Sequence, residues 1–332
     1  MTTTEITSDA GAARPSALQV ARRALTAPTV GPLIALVLTM AFFSYKSDRF
    51  LQTENLSLVL QQTMVVGVLA IGQTLVILTA GIDLSVGTVM ALGQIVMTKL
   101  AVVSGVPPVL ALLLGILTCV GFGALNGGLV TLVRLPPFIV TLGTLNIAFA
   151  LTHIVSNDVT YTGLPEELLF FGRTFHFAGA DFTYGVVFML VLYAITWFAL
   201  TQTSWGRHVY AVGDNREACQ LSGIRVWKVL LVDYVLCSLL AAVAGLVLVG
   251  STNAADLSLA DVYLLPSVAA VIIGGTSIFG GRGGYAGSIV GALILTVLTS
   301  MLTLLDFPEP MKQILYGAII LLLAATYARL ID

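Results

Sequence analysis

Residues 211–224 read AVGDNREACQLSGI, and they gather Asp214, Arg216 and Glu217 inside a chain that is 58% hydrophobic. These groups make neither a nucleophile triad nor a metal set. Their spacing offers helix-end and docking chemistry. Asp214 and Glu217 have the D-x-x-E spacing of a capping box, with Asp214 at the N-cap and Glu217 folding back. Gly223 stands where a C′ glycine ends a helix. The enclosed helix has about eight residues, roughly 12 Å at 1.5 Å per residue, and is too short to hold itself in water. It needs a membrane surface or a partner groove. Ala218 and Leu221 share one face, and Arg216 and Gln220 another. The stretch is either a solvated loop helix or a docking helix for a cytoplasmic protein.

Elsewhere, chemistry-bearing residues are few. No G-x-x-x-x-G-K-[ST], H-E-x-x-H, C-x-x-C or G-x-S-x-G occurs. His153, His176 and His208 are scattered, and Cys119, Cys219 and Cys237 fit neither a disulfide framework nor a zinc site. The chain is therefore not expected to be an enzyme. Asp83, in TAGIDLSVG between two apolar runs, is the most intrusive acid. A carboxylate at the bilayer centre costs roughly 2.5–3.5 kcal/mol, so it must face protein or water. It either caps the next helix through the N–H of Ser85 or Val86, or serves in a pathway or gate. Gln73, Gln94, Asn126, Thr141, Thr144 and Asn146 are neutral hydrogen-bonders among apolar residues. They suit a polyhydroxylated solute, or simply join helices to one another. Ion-coupled transport would place more buried charge in the spans.

The elements that hold these residues follow from composition. Only 10% of the 332 residues are charged, against about 25% in soluble domains, and the mean hydropathy is +0.99. The expected fold is an all-α polytopic integral membrane protein. Spans of roughly 20 apolar residues fall near 27–45, 57–80, 84–103, 108–132, 138–156, 183–201, 229–250, 265–280, 285–304 and 311–328, about ten in all. Residues 1–17 read as disordered. SALQVARRALTA could lie on the membrane as an amphipathic helix, which makes 1–26 a cytoplasmic N-terminal segment and 27–328 the transmembrane domain, with a cytoplasmic loop at 202–228. With both termini inside, ten of the 15 Lys and Arg residues fall on the cytoplasmic side, Arg134, Arg207, Arg216, Arg225, Lys228 and Arg282 among them. That obeys the positive-inside rule.

Two outer segments stand out, 157–182 and 251–264. Gly123 with Gly127, and Gly283, Gly287 and Gly291 along one helix face, offer close approaches between helices, within the chain in preference to between copies. A faint internal echo pairs the break at AGIDLSVG with the break at GGTSIFGGRGG, and interrupted helices in repeated halves mark sites in transporter folds.

Four stretches carry a resemblance to a known family. EACQLSG (217–223) resembles the EAA-x-x-x-G motif of ABC importer permeases, with Cys219 in place of Ala. GQTLVILTAGIDLSVGTVMALG (72–93), NGGLVTLVRLPPFIVTLGT (126–144), the WGRHVYAVGDNREACQLSGI loop (205–224) that contains EACQLSG, and SVAAVIIGGTSIFGGRGGYAGSIVGALI (267–294) look like the permeases of ribose-type monosaccharide ABC importers, in the right order over most of 57–328. The downstream I-x-L-P of the broader motif is absent, because 233–236 reads DYVL. The resemblance implies a sugar permease of the bacterial inner membrane. It works as one of two copies, served by an extracytoplasmic sugar-binding protein and driven by a cytoplasmic ABC ATPase that binds ATP and Mg. This chain binds no cofactor, and beyond those proteins its only other partner is lipid, with no nucleic acid expected. Asp214, Asn215, Arg216, Glu217, Ala218 and Gly223 would couple to the ATPase. Gln73, Asp83, Asn126, Thr144 and Asn146 would serve the pathway or gate. The competing readings are a branched-chain amino-acid or nucleoside permease of the same superfamily, and an ion-coupled secondary transporter.

Overall fold

The computed structural model describes residues 30–46, 50–304 and 306–331. The interfacial helix expected before residue 27 lies outside them. Among the described residues ten apolar helices form the body: α1 (Val30–Lys46), α2 (Thr53–Leu78), α3 (Val86–Val102), α4 (Pro108–Thr131), α5 (Pro137–Ser156) and α6 (Tyr184–Gln202), then α9 (Val226–Thr252), α10 (Ala260–Ile273), α11 (Tyr285–Leu304) and α12 (Glu309–Ile331). Between α6 and α9 lie the polar helices α7 (Ser204–Asp214) and α8 (Arg216–Leu221). Six of the ten are long and apolar enough to cross a bilayer: α2, α4, α5, α6, α9 and α11. The other four, α1, α3, α10 and α12, have shorter apolar stretches. The segment expected as a span over 265–280 is instead the helix Ala260–Ile273, with Pro266 inside it, followed by an irregular glycine-rich stretch.

Burial sorts these helices by role. The apolar stretches of α2 and α9 are 83% and 72% buried, against 28% for each of α4, α5 and α6. A helix that is apolar all round belongs in the centre of a bundle, and α2 is built that way. Small residues bring the backbones together. A Cβ on Gly72 would lie 3.0 Å from the Cys237 Cα of α9, one on Gly123 2.7 Å from Tyr234 O, and one on Gly127 2.8 Å from the Leu231 side chain. The Gly123/Gly127 pair therefore packs within the chain. Gly287 and Gly291 do the same against Gly274, just past α10, and Ala270 within it. Gly283 does not join that ladder, because it precedes α11 and sits at φ +127.

The purely helical expectation also needs correction. Among the described residues there are two small antiparallel sheets: β1 (Tyr161–Thr162) paired with β4 (Ala254–Ala255), and the hairpin of β2 (Thr174–Phe177) with β3 (Ala180–Thr183). Ala178 and Gly179, both at positive φ, make the two-residue turn that suits a twisted hairpin. These loop backbones meet at one end of the bundle, where their amides and carbonyls pair with each other. The two outer segments singled out in the sequence are thus joined to each other through β1 and β4. The hairpin sits by the start of α2, where Ser57 Oγ donates to Asp181 O. The opposite end of α2, roughly 39 Å away at 1.5 Å per residue, meets α7 and α8.

Candidate functional site

At its C-terminal end, α2 stops on Thr79, and Ala80 takes a left-handed conformation at φ 55. Ala80 N donates to Ile77 O and Gly81 N to Val76 O, both at 2.9 Å, the paired bonds of a Schellman turn. Two carbonyls of this turn take partners from distant segments. Gly281 N, in the glycine-rich break before α11, donates to Leu78 O at 2.9 Å. Arg216 Nη2 donates to Thr79 O at 2.6 Å. A guanidinium at the negative end of a helix dipole is well placed, and a charge-assisted hydrogen bond is among the stronger kinds.

The α7–α8 elbow closes this junction. Thr203 Oγ1 accepts from Gly206 N and caps α7. Gly206, Val209, Val212 and Gly213 are buried on one face of α7, a helical period that presses it against the bundle. A Cβ on Gly213 would fall 1.8 Å from Leu78 O and 2.6 Å from Gly281 N, so three backbones converge on one glycine. Tyr210 Oη donates to Gly283 O at 2.9 Å. Burial pushes the pKa of this phenol above its usual value, so it remains a donor. The two breaks that echo each other in the sequence thus meet in space, and the elbow holds both.

The short helix differs from its expected form. Asp214 is the last residue of α7, and the N-cap of α8 is Asn215, whose Oδ1 accepts from Ala218 N at 2.9 Å. The helix runs for six residues instead of about eight. Asn215 wins the cap because its extended backbone (φ −154, ψ 103) makes the corner between two helices, a conformation that Asp214 cannot adopt inside α7. Gly223, at φ +82, ends α8 as expected: its N donates to Gln220 O, and Ile224 N donates to Cys219 O. Cys219 is the buried anchor, while Glu217, Ala218 and Leu221 are exposed on the outward face, Leu221 at 86%.

A buried polar network leads inward from the first break. Asp83 Oδ1 accepts from Ser85 N at 2.8 Å and Ser85 Oγ at 2.6 Å. The N-cap of α3 is Ser85 itself, so Asp83 supports the cap from two residues upstream. Asn126 Nδ2 donates to Ser85 Oγ at 2.9 Å, and Thr144 Oγ1 donates to Asn126 Oδ1 at 2.7 Å. Gln73 Nε2 donates to Asp83 O at 2.6 Å, and Thr141 Oγ1 donates to Ile82 O at 3.2 Å. Four of the five expected pathway or gate residues, Gln73, Asp83, Asn126 and Thr144, therefore form one buried set linking α2, the break, α4 and α5. Asn146 stands apart: it is exposed, with its amide donating to Leu142 O.

Asp233 and Tyr234 on α9 belong to this region and were missed as site residues. Asp233 is fully buried, and neither of its carboxylate oxygens has a hydrogen-bond partner among the described residues; the same holds for Tyr234 Oη, Asp83 Oδ2 and Gln73 Oε1. Tyr234 Oη lies against the first break, 2.9 Å from where a Cβ on Gly81 would be. The signal for Asp233 is in plain sight, a lone acid within LLVDYVLCSLL.

An apolar helical bundle, small sheets at one end and a polar elbow clamping two span breaks at the other define a multi-pass membrane protein. The family described as branched-chain amino acid transport system / permease component matches residues 55–324, and the chain belongs to it. The chain is 40% identical over 306 residues to the fructose import permease protein of Rhizobium meliloti, covering 90% of this chain and 85% of that one. It is 37% identical to the ribose import permease protein of Bacillus subtilis (strain 168), covering 88% and 90%. It is 36% identical to the ribose import permease protein of Escherichia coli (strain K12), covering 87% and 90%. No solved structure matches it.

Proposed function

We propose that this chain is the inner-membrane permease of an ATP-binding-cassette importer carrying a monosaccharide, with a separate cytoplasmic ATPase acting on α8. The relatives named for fructose and ribose import support the substrate class. The ten apolar helices cross the membrane with both termini in the cytoplasm, which puts α7, α8 and both breaks inside and the β-sheets outside. An extracytoplasmic sugar-binding protein delivers substrate over the sheets, and a second copy of the permease completes the pathway.

The single observation carrying the mechanism is the double attachment of the elbow: Arg216 to the end of α2, and Gly213 between Leu78 and Gly281. The exposed Glu217–Ala218–Leu221 face meets the ATPase, and Asp214, Asn215 and Gly223 shape the corners that present it. When the ATPase halves close, displacement of α8 passes through these contacts to both breaks together. The Asp83–Ser85–Asn126–Thr144 chain carries it on to α4 and α5. Gln73 Oε1 and the Asp233 carboxylate, buried acceptors without a hydrogen-bond partner among the described residues, become partners for sugar hydroxyls as the helices part.

The test is Glu217→Lys in proteoliposomes holding permease, ATPase and binding protein. Glu217 is exposed in the first turn of a six-residue helix, where charge reversal costs roughly 0.3–1 kcal/mol, so the fold survives. Uptake should fail while the melting temperature holds and the ATPase still hydrolyses ATP. Normal uptake in this variant would exclude α8 as the coupling element. Uptake that survives a disabled ATPase but collapses with an ionophore would show a secondary transporter instead.

A further inference from the structure

Beside the turn that joins α8 to α9 lies a cavity of about 700 Å³ whose lining includes Arg134, Arg216, Arg225 and Trp227 and, among the described residues, no acid. The three ion pairs among the described residues are all elsewhere, at His153–Asp158, Arg173–Glu166 and His176–Asp181. None of these three guanidiniums is paired with a carboxylate among the described residues. Arg216 donates to Thr79 O. Arg134 holds its place in the VRLPP turn at φ 64, a left-handed conformation. On the other side of the same turn a second cavity of about 530 Å³ shares Arg225 and adds His208 and Lys228, again without an acid. Like charges around one concavity repel until an anion joins them.

The surroundings indicate which anion. Leu132, Val133, Phe138 and Ile139, at the ends of α4 and α5 beside the cavity, are 73%, 58%, 55% and 57% exposed. Trp227 is 45% exposed, and tryptophans favour the level of the lipid headgroups. This rim is where acyl chains lie, and basic pockets between spans at the cytoplasmic surface suit anionic headgroups. We propose that the cavity formed by Arg134, Arg216, Arg225 and Trp227 binds the phosphodiester headgroup of an anionic phospholipid, whose chains run along Leu132, Val133, Phe138 and Ile139. Planar guanidiniums grip phosphate oxygens in pairs. The inference holds whatever solute the chain carries.

Native mass spectrometry of the full-length protein in detergent, titrated separately with phosphatidylglycerol, phosphatidylcholine and inorganic phosphate, tests it. The unmodified chain should retain phosphatidylglycerol selectively. The Arg134→Gln/Arg225→Gln double variant should bind it about thirtyfold more weakly, each cation being worth about fivefold at an anionic surface. An Arg134→Lys/Arg225→Lys variant keeps the charge and should recover much of the binding. Melting temperatures without added lipid establish that each variant is folded, and Arg225→Gln alone serves if the double variant is not. Equal retention of both lipids, or wild-type affinity in the double Gln variant, overturns the proposal. So does displacement of phosphatidylglycerol by millimolar inorganic phosphate, which would make the cavity a free-anion site. Unchanged lipid binding with loss of the co-purifying ATPase would make it a seat for that partner's acids, and overturns it too.

Discussion

Gly213→Ala tests the junction most directly. A Cβ at this position would lie 1.8 Å from Leu78 O, where real contacts keep at least 3.0 Å. Something must therefore move by about the 1.2 Å difference between those distances. Nothing flexible stands in the way, since the atoms met are the Leu78 carbonyl and the Gly281 amide, which are hydrogen-bonded to each other at 2.9 Å. Overpacking of this kind costs typically 1–3 kcal/mol, and weakening the Gly281–Leu78 bond adds about 0.5–1.5 kcal/mol. The total of about 2–4 kcal/mol at the junction should appear as a lowered melting temperature together with a reduced ratio of sugar transported to ATP hydrolysed. The assay measures labelled-sugar uptake and ATP hydrolysis in the same proteoliposomes. Gly128→Ala and Gly143→Ala, where a Cβ meets nothing within 4 Å, are the controls. A normal transport ratio and an unchanged melting temperature in Gly213→Ala would refute force transmission through this convergence.

Asn126→Val removes both the donor to Ser85 Oγ and the acceptor of Thr144 Oγ1 and should cost about 1–2 kcal/mol, read as a lowered melting temperature, whereas Asn146→Ala should stay within about 0.5 kcal/mol. Asn215→Ala should destabilise by about 1 kcal/mol through the lost cap and Asp214→Ala by less, which thermal melting of the two variants compares; the reverse order would restore Asp214 as the cap. At the β4 end of the bundle, hydrogen bonds from Ser258 N and Oγ hold the Asp256 carboxyl below its usual pKa. A depressed folded-state pKa stabilises above the unfolded value and is lost as pH falls through the folded one. The melting-temperature gap between wild type and Ser258→Ala should therefore be constant above about pH 5 and close as pH drops below 4.

Much of the site could be read from local pattern. Gly223 had to end a helix because positive φ favours glycine, and the structure puts it there. GIDLSVG marked a break because a buried carboxylate in lipid needs a partner, and Ser85 supplies it. Gln73, Asp83, Asn126 and Thr144 were legible as polar groups in apolar runs, but not as one network. The network spans 71 residues, from Gln73 to Thr144, and its longest single bond, Asn126 to Ser85, joins positions 41 apart; no local spacing encodes that. Asp214 was misread for a related reason. D-x-x-E satisfies the spacing of a capping box, yet α7 extends through Asp214, held by the tertiary contacts of Val209, Val212 and Gly213.

The sequence by itself determined that the chain lives in a membrane, where its apolar helices lie and that a short polar helix interrupts them. These follow from hydropathy and local backbone preference, which each segment carries alone. Tertiary structure alone decided that the two echoing breaks meet, that Gly213 is the point where three backbones converge, and that Arg216 reaches Thr79. The packing of helices distant in sequence sets those contacts. A lone glycine or arginine looks the same in sequence whether it faces solvent or another backbone's carbonyl.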